Sequence, residues 1–394
     1  MNHVVIAEAK RTPIGSFGGG LSGFTAPELG AVAILEIIRS TGIRPELVEE
    51  VVFGNVLSAG IGQAPARQAA LKGGLSTATP CTTVNKVCAS GMKAIMIAAD
   101  QIRLGEARVM VTGGMESMSN VPYYLPDERF GATLGHSRTV DGILKDGLWD
   151  VYKDFHMGNA AEICAKQSEI SREEQDRYAI LSYRRALEAA EKGYFREELI
   201  PIKVKDGKGS VTLIEHDEEP RRVQFDKIEH LKPVFDKDGT VTAANASSIN
   251  DGAAALLLLS EERAKELNLT PVARIRSYAS SAKAPELFTT APSDVIPLAL
   301  KKSGLTLSDI DLFEINEAFS VVSIANNRIL KLDEEIVNIH GGAVSLGHPI
   351  GCSGARIVVT LVHALKRTGG TLGCAAICNG GGGASAMVVE RVDK

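Results

Sequence analysis

The chain has 394 residues, enough for two or three domains and a large core. Hydrophobic residues make up 44% and charged residues 23%, with a formal net charge of −5, so a polyanion such as nucleic acid is not an expected partner. No apolar run approaches the roughly 20 residues of a membrane span. The six cysteines include no CxxC pair, which argues for reduced thiols over disulfides or structural zinc.

In chain order, "MNHVVIAEAKRTPIG" opens with apolar residues from Val4 and no cationic or Arg/Ser-rich leader, which reads as cytoplasmic. "GGGLSG" (18–23) satisfies a dinucleotide fingerprint, but it lies well beyond the first strand and is set aside. "ELVEEVVFGNV" (46–56) reads as a helix end, a short strand and an asparagine-containing loop. The unit "CASGMKAIMIAADQIRLGEARVMVTGGMESMS" (88–119) follows: a cysteine with Ser-Gly, a nearly all-apolar helix, a glycine turn, and an apolar strand with a glycine-rich end. Cys88 thus precedes a long helix, whose unpaired N–H groups and dipole favour a thiolate over a thiol of free pKa about 8.5. A small buried core residue is the competing reading.

Between about 120 and 248 the composition turns charged and irregular, as in a covering domain. One helix there is clear, opened by the capping pair Ser171 and Glu174 and stopped by Gly193. Ala253–Leu259 reads as a buried strand. "SDIDLFEINEA" (308–318) repeats the plan of 46–56 and carries Asn316 and Glu317, where an amide can hold a water or an oxyanion or simply cap a helix. "GGAVSLGHPIGCSGAR" (341–356) places His348 in a glycine-rich loop, as the base for a thiol or as a residue bonded to backbone. The stretch "CSGARIVVTLVHALKRTGGTLGCAAICNGGGGASA" (352–386) repeats the cysteine-headed unit. Its Cys378 ends a strand, and four glycines follow. No lysine makes this a phosphate loop, and the single Trp149 offers no stacking platform.

Two similar halves are expected, with strands alternating with helices in parallel sheets covered on both faces. The helices after Cys88 and Cys352 carry few charges on any face and should lie between the sheets. The fold class is therefore a five-layer α/β/α/β/α sandwich with an inserted loop domain. Its expected units are 1–119 plus 249–270, 120–248, and 271–394.

"NKVCASGMKA", "NEAF", "GGAVSLGHPIGCSGAR" and "CNGGGGASA" stand in this order, and "RTPIGSFGG", "FGNVLSAGIGQAPARQ", "GGMESMSN" and "HMG" extend the match over the whole length. The chain resembles the thiolase family, specifically its biosynthetic acetyl-CoA acetyltransferases. The resemblance implies the condensation of two acetyl-CoA to acetoacetyl-CoA and CoA, and the reverse. Cys88 would carry the acetyl group and His348 would take its thiol proton. Cys378 would deprotonate the second acetyl-CoA, while His348 and a water on Asn316 hold the enolate oxygen. The N–H groups of Cys88 and Gly380 would hold the tetrahedral intermediate.

For coenzyme A, the resemblance implies His156, Met157, Tyr183, Arg222 (or Arg221), Lys227, Ser247, Phe235, Phe288, Ala318 and Phe319. It also implies a potassium set of Tyr183, Ala243, Ala244, Ala246 and Val344, although a proline follows the aromatic residue in that subgroup and Thr289 follows Phe288 here. No tightly bound cofactor and no membrane partner are expected, and the assembly expected is a homotetramer of tight dimers. The competing readings are a degradative thiolase of longer 3-ketoacyl-CoA chains and a non-catalytic carrier of the same fold; "HMG" favours the short-chain enzyme.

Overall fold

The computed structural model describes residues 3–205 and 209–392, leaving the outermost residues of the expected terminal units, and 206–208, outside the described residues. The apolar runs of the first part become strands and the segments between them helices. In order these are β1 (Val4–Arg11), β2 (Gly15–Ser16), α1 (Ala26–Thr41), β3 (Glu50–Gly54), α2 (Pro65–Lys72), β4 (Cys81–Val84), α3 (Ser90–Leu104) and β5 (Val109–Ser117).

The covering segment holds two-residue strands β6 (Tyr123–Tyr124), β7 (Val140–Asp141), β8 (Trp149–Asp150) and β9 (Phe155–His156), then α4 (Met157–Gln167), α5 (Arg172–Glu191), β10 (Ile202–Lys205) and β11 (Val211–Ile214). α5 begins as its sequence predicts: Ser171 N–H donates to Glu174 Oε2 at 2.9 Å, and Glu174 N–H donates to Ser171 Oγ at 3.2 Å. Gly193, at φ 71°, follows its end.

The chain returns through β12 (Asn250–Ser260), every residue of which is buried, and α6 (Glu261–Glu266). The last part comprises β13 (Ala273–Ala282), α7 (Ala291–Ser303), β14 (Leu312–Ile315), α8 (Ser320–Leu330), α9 (Ala343–Leu346), α10 (Ile350–Thr368), β15 (Leu372–Asn379) and β16 (Gly383–Arg391).

The strands run β14-β15-β16-β13-β1-β12-β5-β3-β4, with β2 beside β12. Among the described strands of this sheet, β3–β4, β3–β5 and β14–β15 pair in parallel; the pairs through β1, β12, β13 and β16 are antiparallel. The expectation of parallel sheets is corrected on this point. A tight glycine turn joins β15 to β16, and a turn that short can connect only antiparallel strands. β1 bridges the halves, since Val4–Ile6 pair with Leu258–Ser260 on one side and Ala273–Ile275 on the other. The two half-sheets are thereby one folded sheet of ten strands.

The five layers follow from the packing. α1 and α2 cover the outside of the first half-sheet, α7 covers the second, and α3 and α10 lie between, touching strands of both halves. The two middle helices meet where their side chains vanish: a Cβ on Gly91 would lie 2.8 Å from the backbone nitrogen of Ala355, and one on Gly354 would lie 2.6 Å from that of Met92. α10 is buried through its first three turns, and its one internal cation, Arg356, pairs with the buried Glu314 at 3.2 Å. Both cysteine-headed helices therefore begin close together, between the half-sheets.

Candidate active site

The loop from β4 to α3 makes a tight elbow. Val87, a β-branched residue, takes a φ of 48°, and Ser90 Oγ closes the turn by accepting from Lys86 N–H at 2.8 Å and donating to the Val87 carbonyl at 2.6 Å. Cys88 sits at the crest, partly exposed, beside the first turn of α3. Burial pushes its thiol up to about 11, while the N–H groups of Gly380 and of Cys88 itself pull the other way. The thiolate expected from the helix end alone is thus not the resting form, because loss of water outweighs the N–H groups. A base is needed.

His348 lines the same cavity as Cys88. Its backbone N–H donates to Asn250 Oδ1 at 2.9 Å, and its Nδ1 lies 2.6 Å from Ser353 Oγ. The Ser353 hydroxyl donates its single proton to the Pro349 carbonyl at 2.9 Å. The proton between Ser353 and His348 must therefore sit on Nδ1, which leaves Nε2 as a lone-pair acceptor. That Nε2 is buried with no hydrogen-bond partner among the described residues. Burial first, and then the charge of Arg356, hold the ring's pKa down to about 3, so the imidazole is neutral and its free nitrogen carries a lone pair.

Cys378 is fully buried at the end of β15, in ladder register with Ala384 of β16. Its thiol is pushed well above the ordinary value, first by burial and then by the repulsion that an ionised Cys88 would exert. Asn316 follows β14, where its N–H donates to Ala376 of β15 at 2.9 Å. Its side chain is 1% exposed, yet neither amide atom has a partner among the described residues. A buried amide with both ends free is costly and marks a place for a water or a ligand.

One cavity of about 320 Å³ is lined by Cys88, His348 and Gly380, and by the predicted His156, Met157, Phe235, Ala243, Ala246, Ser247, Phe288, Ala318 and Phe319. Its apolar wall with few polar groups is the usual form of a small-molecule site. The covering segment forms much of the wall. His156 caps α4 by accepting from Gly158 N–H at 2.9 Å, and its ring stacks on Phe235 at 4.6 Å. Ser247 ties that segment to the Asn316 loop, its Oγ donating to the Ala318 carbonyl at 2.8 Å.

Other expected residues lie elsewhere. Arg222 and Lys227 are exposed on short turns outside the cavity wall, and Arg222 is 3.8 Å from Glu219. Tyr183 packs with Val344 and Ala179 in a separate cluster, and Ala244 is buried without lining the cavity. Burial pushes the Tyr183 hydroxyl up to about 12.

Sequence reasoning missed three supports. Ser353 and Asn250 orient His348, and Glu116 gathers the N–H groups of Val56, Leu57 and Gly351 at 3.1, 3.2 and 2.9 Å. Ser353 was legible in part, since Ser-Gly recurs after both cysteines; the partners of Asn250 and Glu116 are distant in the chain and left no local signal.

Comparison with known proteins agrees over the whole length. Residues 4–262 match the thiolase N-terminal domain and residues 269–391 the thiolase C-terminal domain. The chain is 56% identical to acetyl-CoA acetyltransferase 1 of Arabidopsis thaliana over 389 residues, covering 98% of this chain and 94% of that one. It is 55% identical to the mitochondrial acetyl-CoA acetyltransferase of Rattus norvegicus over 394 residues, covering 100% of this chain and 92% of that one. Among solved structures, the acetyl-CoA acetyltransferase of Bacillus anthracis superposes with a TM-score of 0.97 at 43% identity, covering 100% of this chain and 99% of that one. A thiolase from Ascaris suum in complex with coenzyme A gives 0.94 at 46%, covering 99% and 100%. With the fold, the motifs and these full-length matches in agreement, the chain belongs to the thiolase family.

Proposed function

We infer that this protein is an acetyl-CoA C-acetyltransferase that condenses two acetyl-CoA into acetoacetyl-CoA and CoA, and runs the reverse thiolysis, through an acetyl-cysteine. The observation that carries this reading is one cavity lined by a reachable thiol and an unpartnered imidazole nitrogen, with a second thiol buried in one packed cluster with the lining residues Met157, Phe288, Ala318 and Phe319. The similar proteins bear that activity's name, and the Ascaris suum structure holds coenzyme A.

Cys88 attacks the first thioester as His348 Nε2 takes its proton, and the N–H groups of Cys88 and Gly380 face the oxyanion. The departing CoA thiolate takes a proton from Cys378. That leaves a Cys378 thiolate to remove one from the methyl carbon of the second acetyl-CoA. The enolate oxygen then faces His348 Nε2–H and a water held by Asn316. Carbon–carbon bond formation expels Cys88, which recovers its proton from His348. Neutral thiols at rest suit this sequence, because each proton has a stated donor and receiver.

His156, Met157, Phe235, Ser247, Phe288, Ala318 and Phe319 would contact the pantetheine and acyl groups, with Arg222 and Lys227 toward the nucleotide end. The carbonyls of Ala243, Ala244 and Ala246 accept no backbone hydrogen bond among the described residues, which suits a potassium ion beside Tyr183 and Val344. Turnover should fall when sodium replaces potassium, and equal kinetics in the two salts would remove that site. A homotetramer is supported by the exposed Tyr123, Leu125, Phe130 and Leu134 of the covering segment. Light scattering on a Phe130→Ser, Leu134→Ser variant should report a smaller assembly. Among the described residues no helix is long and apolar enough to cross a membrane, and a cytoplasmic setting fits, although similar proteins carry both cytosolic and mitochondrial names. The units 1–119 plus 249–270, 120–248 and 271–394 are our division of the chain, supported by the pairing of β12 with β1 and β5.

The deciding experiment compares thiolysis of acetoacetyl-CoA with that of a medium-chain 3-ketoacyl-CoA. Faster cleavage of the short substrate is expected. Preference for the long one would make the protein a degradative thiolase, and no cleavage of either would make it a carrier.

A further inference from the structure

The two thiols belong to opposite halves of the chain, so something must hold the halves in register at the reaction centre. Lys86, two residues before Cys88, crosses that boundary. Its Nζ donates to Ser385 Oγ at 2.8 Å and to Ser280 Oγ at 3.0 Å, and lies 3.5 Å from the Ala384 carbonyl. Ser280 and Ser385 face each other across β13 and β16, and Ala384 is the ladder partner of Cys378. At the other end, Lys86 N–H is held by Ser90 Oγ, and the next residue is the strained Val87. A Cβ on Gly380 would lie 3.5 Å from a Val87 methyl, so the elbow also abuts the glycine turn after Cys378. Burial, then repulsion from Lys93, lowers the ammonium to about 8, which means that it gave up water to reach these oxygens.

We propose that Lys86 is a positioning residue: by bonding Ser280, Ser385 and the Ala384 carbonyl, its ammonium ties the Cys88 elbow to the strand pair that presents Cys378, and so sets the separation of the two thiols. A left-handed β-branched residue relaxes unless its surroundings hold it, and Lys86 is the side chain that anchors this one to the other half. The inference rests on the reaction assigned above, in which an acyl group on one sulfur must meet a carbanion generated beside the other.

The test compares Lys86→Met, the pair Ser280→Ala with Ser385→Ala, and all three changes together. Each of the first two should lower kcat of condensation roughly 10- to 100-fold, as loss of charged hydrogen bonds does, and leave KM for acetyl-CoA within about twofold. The combined variant should lose no more than either alone, because all remove one tether. A substrate-free readout accompanies this: bridging of Cys88 to Cys378 by dibromoacetone, identified by peptide mass, should drop in the same variants. Unchanged kcat and cross-linking in folded Lys86→Met, or losses that multiply in the combined variant, would overturn the tether. If Lys86→Met does not fold, the serine changes alone decide, since they remove two hydroxyls and leave the β13–β16 ladder. Wild-type protein that releases no CoA from acetyl-CoA would overturn the assigned reaction instead, and the cross-link would still judge the tether.

Discussion

In the first half of the chain, Cys88 stands two residues ahead of α3 and is partly exposed to the cavity; in the second half, the matching Cys352 lies two residues inside α10 and is 1% exposed. The helix starts decide this. The left-handed Val87 delays α3 until Ser90, whereas Pro349, at φ −66°, leads straight into α10 at Ile350. The thiol that the second half offers near Cys88 is Cys378, at the end of a strand. Two copies of one plan thus place their sulfurs differently: one at the mouth of a helix, one against the core. An accessible sulfur can receive an acyl group from a bulky thioester, and a buried one can only exchange a proton with something already bound.

The most decisive way to break this comparison is to remove the matching sulfurs in turn. Cys88→Ala should take up no label from acetyl-CoA, while Cys352→Ala should be acetylated normally and lose about 1 kcal/mol of stability on thermal unfolding. Label on the first variant, or none on the second, would reverse the reading of which helix matters.

Removing the buried sulfur sharpens it further. Cys378→Ala should still form acetyl-enzyme in a single turnover, yet condense roughly 100- to 10,000-fold more slowly. Condensation at the wild-type rate would deny this thiol its proton transfer.

The smallest effect concerns pH. His348 is held down to about 3 and Cys88 up to about 11, so between these limits the base stays neutral and the thiol protonated. Lowering the pH through 6.5, the ordinary imidazole value, therefore does not protonate the base, and single-turnover acetyl transfer should change less than about twofold there. A break near that pH would show that water reaches His348.

Much of the molecule was legible before any coordinates. The capping pair at Ser171 and Glu174, the buried run of β12 and the charge-poor helices after Cys88 and Cys352 are signals between residues a few positions apart, and each became the element expected. The loop that bears His348 was readable because glycine, proline and histidine cluster in it. Strand direction was not readable, since alternation of strands and helices says nothing about where β12 returns after the covering segment. Nor was the reach of Lys86 to Ser385, which spans 299 residues.

By itself the sequence determined the elements, the duplicated plan and the presence of a thiol, a histidine and an amide in loops with a second thiol at a strand end, because periodicity, caps and turns act between neighbours. Only the tertiary structure decided which cysteine meets the cavity, that Cys88 rests as a thiol, and that His348 keeps a bare nitrogen beside it. Protonation depends on how much water distant segments exclude and on which charges they bring, and neither quantity exists until the two halves and their covering segment have closed around the site.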